Sequence, residues 1–333
     1  MPIRQLLIAF CALFSLVARA ADSVAMAECL SLAAQSADDK TTVGELRSHC
    51  ERRLTEAQAN AAITNGAEIG PGVVVERSSL ERYAEDNPFV LTPHRTNYVL
   101  PISYRDHISD FGDNLAGKSE EIDHFELEFQ LSIKVKAWDH IFREGNHLSI
   151  AYTNRSFWQA YNDDASKPFR ETNHEPEIIF NVASDWKIGQ LSNVANQLII
   201  NHQSNGRSDP ESRSWNRIML NMVFERGRWA MSFKPWYRLP EEANDDDNRD
   251  IEHYMGNFEW MSIYSWRQRT LSILLRNNLR SDNKGAVELG WSFPINKRVK
   301  AYVKYFNGYG ESLIEYNKAV ESIGIGVLIS DWL

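Results

Sequence analysis

The sequence predicts an all-β fold: a 12-stranded antiparallel transmembrane β-barrel, preceded by a short helical N-terminal extension. Three observations predict it. After residue 90, apolar and polar residues alternate with period two, as strands with one apolar and one polar face require. Apolar residues make up 43% and charged residues 24% of the chain, and the mean hydropathy is −0.43. This balance excludes a helical membrane protein and a disordered chain, but not a membrane barrel, whose average composition looks soluble.

The third observation is the N-terminus. Arg4 precedes an apolar run from Leu6 to Val17, and Ala18-Arg19-Ala20 follows. That order of charge, apolar core and small residues is a secretory signal peptide, expected to be cleaved after Ala20. The run is too short to span a bilayer as a helix. The net charge is −9, and losing Arg4 and Arg19 makes the mature chain more acidic, which disfavours nucleic acid as a partner.

Export places the cysteines in an oxidising compartment. Cys11 leaves with the leader, whereas Cys29 and Cys50 remain and read as a disulfide. Two separate thiols are the alternative. Residues 22–65 are rich in Ala, Glu, Gln, Leu and Arg and read as helical. Asn65-Gly66 and Pro71-Gly72 then punctuate the chain. The expected organisation is a signal peptide over 1–20, a partly helical periplasmic extension over 21–85, and a barrel over 86–333.

The barrel strands follow in order. From Phe125 to Lys136, Phe125, Leu127, Phe129, Leu131, Ile133 and Val135 alternate without error with Glu126, Glu128, Gln130, Ser132, Lys134 and Lys136. At about 3.4 Å per residue and a tilt near 45°, such a strand rises roughly 28 Å, close to a bilayer core. Val287 to Phe293, Val299 to Tyr305 and Ile323 to Ile329 repeat the theme. The predicted segments lie near 94–104, 122–136, 146–160, 174–184, 193–205, 213–226, 228–238, 252–265, 269–279, 285–294, 298–308 and 319–333. An even number closes with both termini on one side. A soluble β-sandwich also alternates. The strand lengths, a polar face with charges of both signs, and an end inside a strand at Trp332-Leu333 weigh against it.

One stretch carries candidate chemistry, residues 201–217. On the incoming strand Leu198, Ile200, His202 and Ser204 share a face. On the outgoing strand Asn216, Ile218, Leu220 and Met222 share one. The apolar face of a barrel meets lipid, so a base, a hydroxyl and a carboxamide lie on the lipid-facing rim. That placement costs free energy unless the groups satisfy one another. His202 can accept the Ser204 proton while the Asn216 carbonyl holds the other ring N–H, which is the arrangement of acyl-transfer catalysis with an amide as third member. A neutral amide stabilises an imidazolium less than a carboxylate does, so help with charge must come from elsewhere. The loop from Arg207 to Ser212, with Ser208, Asp209 and Glu211, offers hard oxygen donors suited to Ca²⁺. Read blandly, Asn-Gly and Asp-Pro simply make turns, and His174 and His253 are rim or loop residues.

The stretch resembles the signature of bacterial outer-membrane phospholipase A. So do Asn87-Pro88-Phe89, Thr96-Asn97-Tyr98, Ser156-Phe157-Trp158-Gln159, residues 168–173, Lys234-Pro235-Trp236-Tyr237 and residues 308–313. The likeness runs from about Asn87 to the C-terminus and leaves 22–85 uncovered. It implies a calcium-dependent enzyme of the outer membrane, active as a calcium-dependent homodimer, which hydrolyses acyl esters of phospholipids (A1 and A2, and lysophospholipid). Ser204 matches the nucleophile, His202 the base, Asn216 the orienter and the Gly206 amide the oxyanion donor. The catalytic calcium would take the Arg207 carbonyl, the Ser212 hydroxyl and, from the partner subunit, the carbonyl at the position of Ser166. Asp209 and Asp247 match a second calcium site, and Asn154 stands where the family has a polar interface glutamine. The rival class is a non-catalytic barrel, porin-like or serving assembly or adhesion. A soluble lipase of α/β type would need a Gly-x-Ser-x-Gly turn, which this chain lacks.

Overall fold

The computed structural model describes residues 42, 44, 47, 50, 73–75, 77, 91–106, 122–164, 166–242, 244, 246–296 and 299–331. The chain divides into two compact units, Met1–Gly70 and Pro71–Leu333. In the first unit the described positions 44, 47 and 50 are helical. Cys50 there is buried and disulfide-bonded. Residues 1–20, expected to be a signal peptide, and Cys29 lie outside the described residues.

The second unit is the barrel. Its twelve long strands are β1 (Asn97–Arg105), β2 (Phe125–Asp139), β3 (His147–Trp158), β4 (Phe169–Ala183), β5 (Leu191–Ser204), β6 (Ser214–Arg226), β7 (Trp229–Arg238), β8 (Phe258–Trp266), β9 (Arg269–Asn277), β10 (Gly285–Pro294), β11 (Lys300–Tyr309) and β12 (Ala319–Ser330). Every neighbouring pair is antiparallel, and β12 pairs with β1, so the sheet closes. Closure leaves no unpaired long edge, the condition for a sheet to cross hydrocarbon. Two short pieces, Thr92–Pro93 and Lys187–Ile188, pair onto β2 and β5.

Alternation sorts the side chains. Ile102, Leu131, Ile150, Ile178, Leu198, Ile200, Ile218, Leu220, Ile323 and Ile325 point outward and are exposed, while Ser132, Ala151, Ile179, Ile199 and Met219 between them are buried. Tyr104, Phe125 and Phe169 sit at one rim, and Trp186, Trp229 and Trp266 at the other, like the aromatic girdles of a membrane barrel.

The two ends differ. Two-residue turns, Gly227-Arg228 and Arg267-Gln268, close one end, where β1 also begins and β12 ends. The longer connections, including 205–213 and 239–257, are at the other end. Short turns face the periplasm and long loops the exterior in barrels of this kind, so the 205–213 loop is external.

All twelve predicted strands form, and two of them start more than three residues from the expected position. The fourth begins at Phe169 instead of 174. The eighth begins at Phe258, because the residues expected to open it form a one-turn helix, α1 (Ile251–Met255). Ile251 and Met255 share a helix face and pack with Trp236, Leu313 and Tyr316. Gly256 then leaves the turn at φ 71°, a conformation that suits glycine. The last strand ends at Ser330, and Trp332-Leu333 lies outside the described residues.

Candidate active site

The site grows from the pairing of β5 with β6. His202 stands directly opposite Asn216, Asn201 opposite Arg217, and Ser204 opposite Ser214. The even positions of β5 face out: Leu198 is 49% and Ile200 54% exposed, against 2% for Ile199. His202 and Ser204 continue that outer row, and Asn216 continues the row of Ile218 and Leu220. Register alone therefore brings the three groups together on the outer wall.

Their contacts are specific. His202 Nδ1 lies 2.9 Å from Asn216 Oδ1. The Asn216 amide nitrogen donates to Glu241 Oε1 at 3.0 Å. Glu241 follows β7, and the chain entering its loop is pinned where the Leu239 N–H donates to the Asn216 carbonyl at 2.8 Å. Ser204, two residues beyond His202, makes no side-chain hydrogen bond among the described residues. Its hydroxyl keeps its full capacity to donate and accept.

Asn205 fastens the external loop. Its side-chain oxygen accepts from the Arg207 and Arg213 N–H groups at 3.3 and 3.0 Å, and its amide donates to the Glu211 carbonyl at 2.9 Å. Asp209-Pro210 is a cis peptide, with Glu211 N bonded to Ser208 O at 3.0 Å. Arg207 pairs with Glu211 and donates to the Arg170 carbonyl at 2.5 Å, tying the loop to β4. Gly206 holds φ 66°, and a Cβ there would sit 3.7 Å from the His174 ring.

The metal candidates separate in space. Ser212 Oγ donates to Asp247 Oδ2 at 2.5 Å, so these two are brought together. The Arg207 carbonyl accepts no hydrogen bond among the described residues. A carbonyl, a hydroxyl and a carboxylate are hard oxygen donors, the chemistry that suits Ca²⁺. Asp209 is exposed on the turn. Ser166 is exposed on the loop between β3 and β4 at φ 57°, in a different loop from Arg207 and Ser212. Among the described residues no group of three or more His, Cys, Asp or Glu is gathered to hold a metal.

Asn154 faces outward on β3, directly opposite His174, and its side-chain oxygen accepts from Ser156 at 3.0 Å. Sequence reading missed two residues beside the trio. His174 stands opposite Ser204 on β4 and bonds the Tyr152 hydroxyl at 2.6 Å through Nδ1. Glu241 contacts Asn216. The parity of His174 with Ile178 is a usable signal for the first, but Glu241 belongs to a loop that no periodicity places.

Comparison with known proteins agrees with this architecture. Residues 74–329 match the family model described as phospholipase A1. The phospholipase A1 of Escherichia coli K12 is 39% identical over 249 residues, covering 74% of this chain and 83% of that one. The phospholipase A1 of Proteus vulgaris is 38% identical over 246 residues, with the same coverage. Among solved structures, the Salmonella typhi outer membrane phospholipase dimer with bound calcium is 37% identical, with a TM-score of 0.69 over 74% of this chain and 94% of that one. Outer membrane phospholipase A from E. coli scores 0.69 at 36% identity, covering 74% of this chain and all of that one. An active-site mutant of the E. coli protein, with an asparagine replaced by alanine, also scores 0.69 at 37% identity over 74% of this chain and 95% of that one. The chain belongs to the phospholipase A1 family, that of the bacterial outer-membrane phospholipase A.

Proposed function

We propose that this protein is a calcium-dependent outer-membrane phospholipase that cleaves both acyl esters of phospholipids, and those of lysophospholipids, through Ser204, His202 and Asn216. The observation that carries the reading is the His202–Asn216 hydrogen bond on the outer wall beside an unbonded Ser204 hydroxyl. A polar trio facing hydrocarbon is costly. An ester delivered along that same wall gives it a use. An asparagine in the active site of the E. coli relative supports the role of Asn216.

The chemistry follows from the geometry. The acyl chain lies along the outer row of Ile200 and Ile218, and the ester reaches the rim. Ser204 Oγ attacks the carbonyl carbon as His202 Nε2 takes its proton. Asn216 holds the Nδ1–H side of the ring throughout. The negative oxygen of the tetrahedral intermediate faces the Gly206 N–H. Collapse breaks the ester C–O bond, and His202 returns the proton to the departing alcohol. Water, deprotonated by His202, then releases the fatty acid from Ser204. Calcium, when bound, would be held by the Arg207 carbonyl and Ser212 hydroxyl, with the carbonyl of the partner's Ser166, and supplies positive charge near the oxyanion. The calcium-bound dimer of the Salmonella relative supports a metal site shared between two copies, with Asn154 offering its amide N–H across that face. Asp209 and Asp247 are assigned to a second calcium site.

The test is fatty-acid release from mixed phospholipid–detergent micelles, with calcium or with chelator, for wild type and Ser204→Ala. Calcium-dependent release that vanishes in the variant supports the proposal. Undiminished release by Ser204→Ala sinks it.

A further inference from the structure

The arrangement of Ser204, His202 and Asn216 leaves a question of polarity. An asparagine side chain presents an acceptor oxygen or a donor NH₂ to its neighbour, and imidazole carries its proton on either nitrogen. If Asn216 turned its NH₂ toward His202, it would bond the Nδ1 lone pair. The ring proton would then sit on Nε2, where the base must be. Nothing within the trio forbids that wrong state.

Glu241 does forbid it. Its Oε1 lies 3.0 Å from Asn216 Nδ2. An ionised carboxylate only accepts hydrogen bonds. The Asn216 NH₂ must therefore face Glu241, so its oxygen must face His202. That oxygen only accepts, so His202 Nδ1 must carry the hydrogen, leaving the Nε2 lone pair free toward Ser204. The second consequence is electrostatic. The Glu241 charge lies one amide away from the imidazole, on the side where an imidazolium would need support, and a bridging amide transmits part of that support. A third consequence explains why the third member is an amide. A carboxylate at position 216 would face the Glu241 carboxylate at hydrogen-bond distance, where like charges repel.

We propose that Glu241 is a positioning residue of the hydrolytic site: it acts through Asn216, fixes the direction of the hydrogen-bond chain, and makes Nε2 of His202 the base. The anchoring is local, since the Leu239 N–H on the Asn216 carbonyl holds the start of the Glu241 loop against β6. The proposal rests on the hydrolase reading above.

The experiment measures kcat and KM for phospholipid hydrolysis with calcium by Glu241→Gln, Asn216→Ala, the double variant, Asn216→Asp, and Asn216→Asp combined with Glu241→Gln. Ser204→Ala serves as the reference, and the mobility difference between unheated and boiled samples on gels reports a folded barrel. Glu241→Gln, whose carboxamide can turn either an acceptor or a donor toward Asn216, is expected to lower kcat about tenfold through loss of the charge and of the enforced direction, with KM unchanged within twofold. In the Asn216→Ala background the same change should do nothing, because the group it acts through is gone. Asn216→Asp should recover activity when Glu241→Gln removes the facing charge. An unchanged kcat in folded Glu241→Gln, or a loss that persists in full without Asn216, overturns the role of Glu241. Activity surviving in Ser204→Ala would instead overturn the hydrolase reading itself, so the two failures are distinct.

Discussion

Polar groups occupy two surfaces of this barrel, and they are treated differently. In the lumen they pair with one another in a cross-linked network of charges. Arg170, fully buried, grips Glu126 with two hydrogen bonds of 2.8 Å, reaches Glu315 at 2.6 Å, and lies over the Phe157 ring at 4.4 Å. Arg105 meets the same Glu315 at 2.7 Å. Lower in the barrel, Glu128 collects Lys304, Tyr98 and Arg155. On the outer wall the site groups form one short chain, Glu241–Asn216–His202, ending at a serine whose hydroxyl is unbonded. Charges cross-linked to several partners hold the wall in shape. A chain with an open end is placed to receive something.

The comparison can be broken at its strongest point first. Ser204→Ala should lower phospholipid hydrolysis at least about 10³-fold, as loss of a nucleophile does, while the barrel unfolds at the same denaturant concentration as wild type. Arg170→Met should do the reverse. It leaves Glu126 buried without its cation and Glu315 with Arg105 alone, costing about 3–5 kcal/mol of stability, read as a shifted urea midpoint, with activity per folded molecule kept within a few-fold. Equal loss of activity in both variants would erase the distinction between the surfaces. Gly206→Ala sharpens it at the junction. The added Cβ has room beside His174, but the φ of 66° costs an L-residue about 1–2 kcal/mol. Hydrolysis should fall more than tenfold while thermal stability shifts by a few degrees. Ile325→Val, exposed on the outer wall of β12, should change stability by less than about 1 kcal/mol and leave hydrolysis unchanged in kcat, as checked in the same micelle assay.

How far the sequence could be read follows from the same contrast. Where the outer face is apolar, period-two alternation marks the strand, as from Phe125 to Lys136. Where the outer face turns polar to build the site, the signal fails. The missed opening of β4 carries Thr172 outward next to His174, which stands between Asn154 and Ser204, so its outer row no longer looks like a lipid face. The α1 segment misled for another reason. His253 and Met255 alternate as a strand would, but Ile251 and Met255 are four apart and bury together only once Leu313 and Tyr316 arrive from a distant loop. His202, Ser204 and Asn216 were legible because the apolar rows of two successive strands, Leu198–Ile200 and Ile218–Leu220, fix which face they share. Glu241 was not, since its place depends on how a long loop folds back over β6.

The most direct test of the account is covalent. A long-chain alkyl fluorophosphonate, which phosphonylates an activated serine and releases fluoride, is incubated with the folded protein and calcium, and the adduct is located by peptide mass spectrometry. The account predicts one adduct, on Ser204, formed in wild type and lost in His202→Ala. No adduct, or one carried on Ser212 or Ser214 instead, would contradict it.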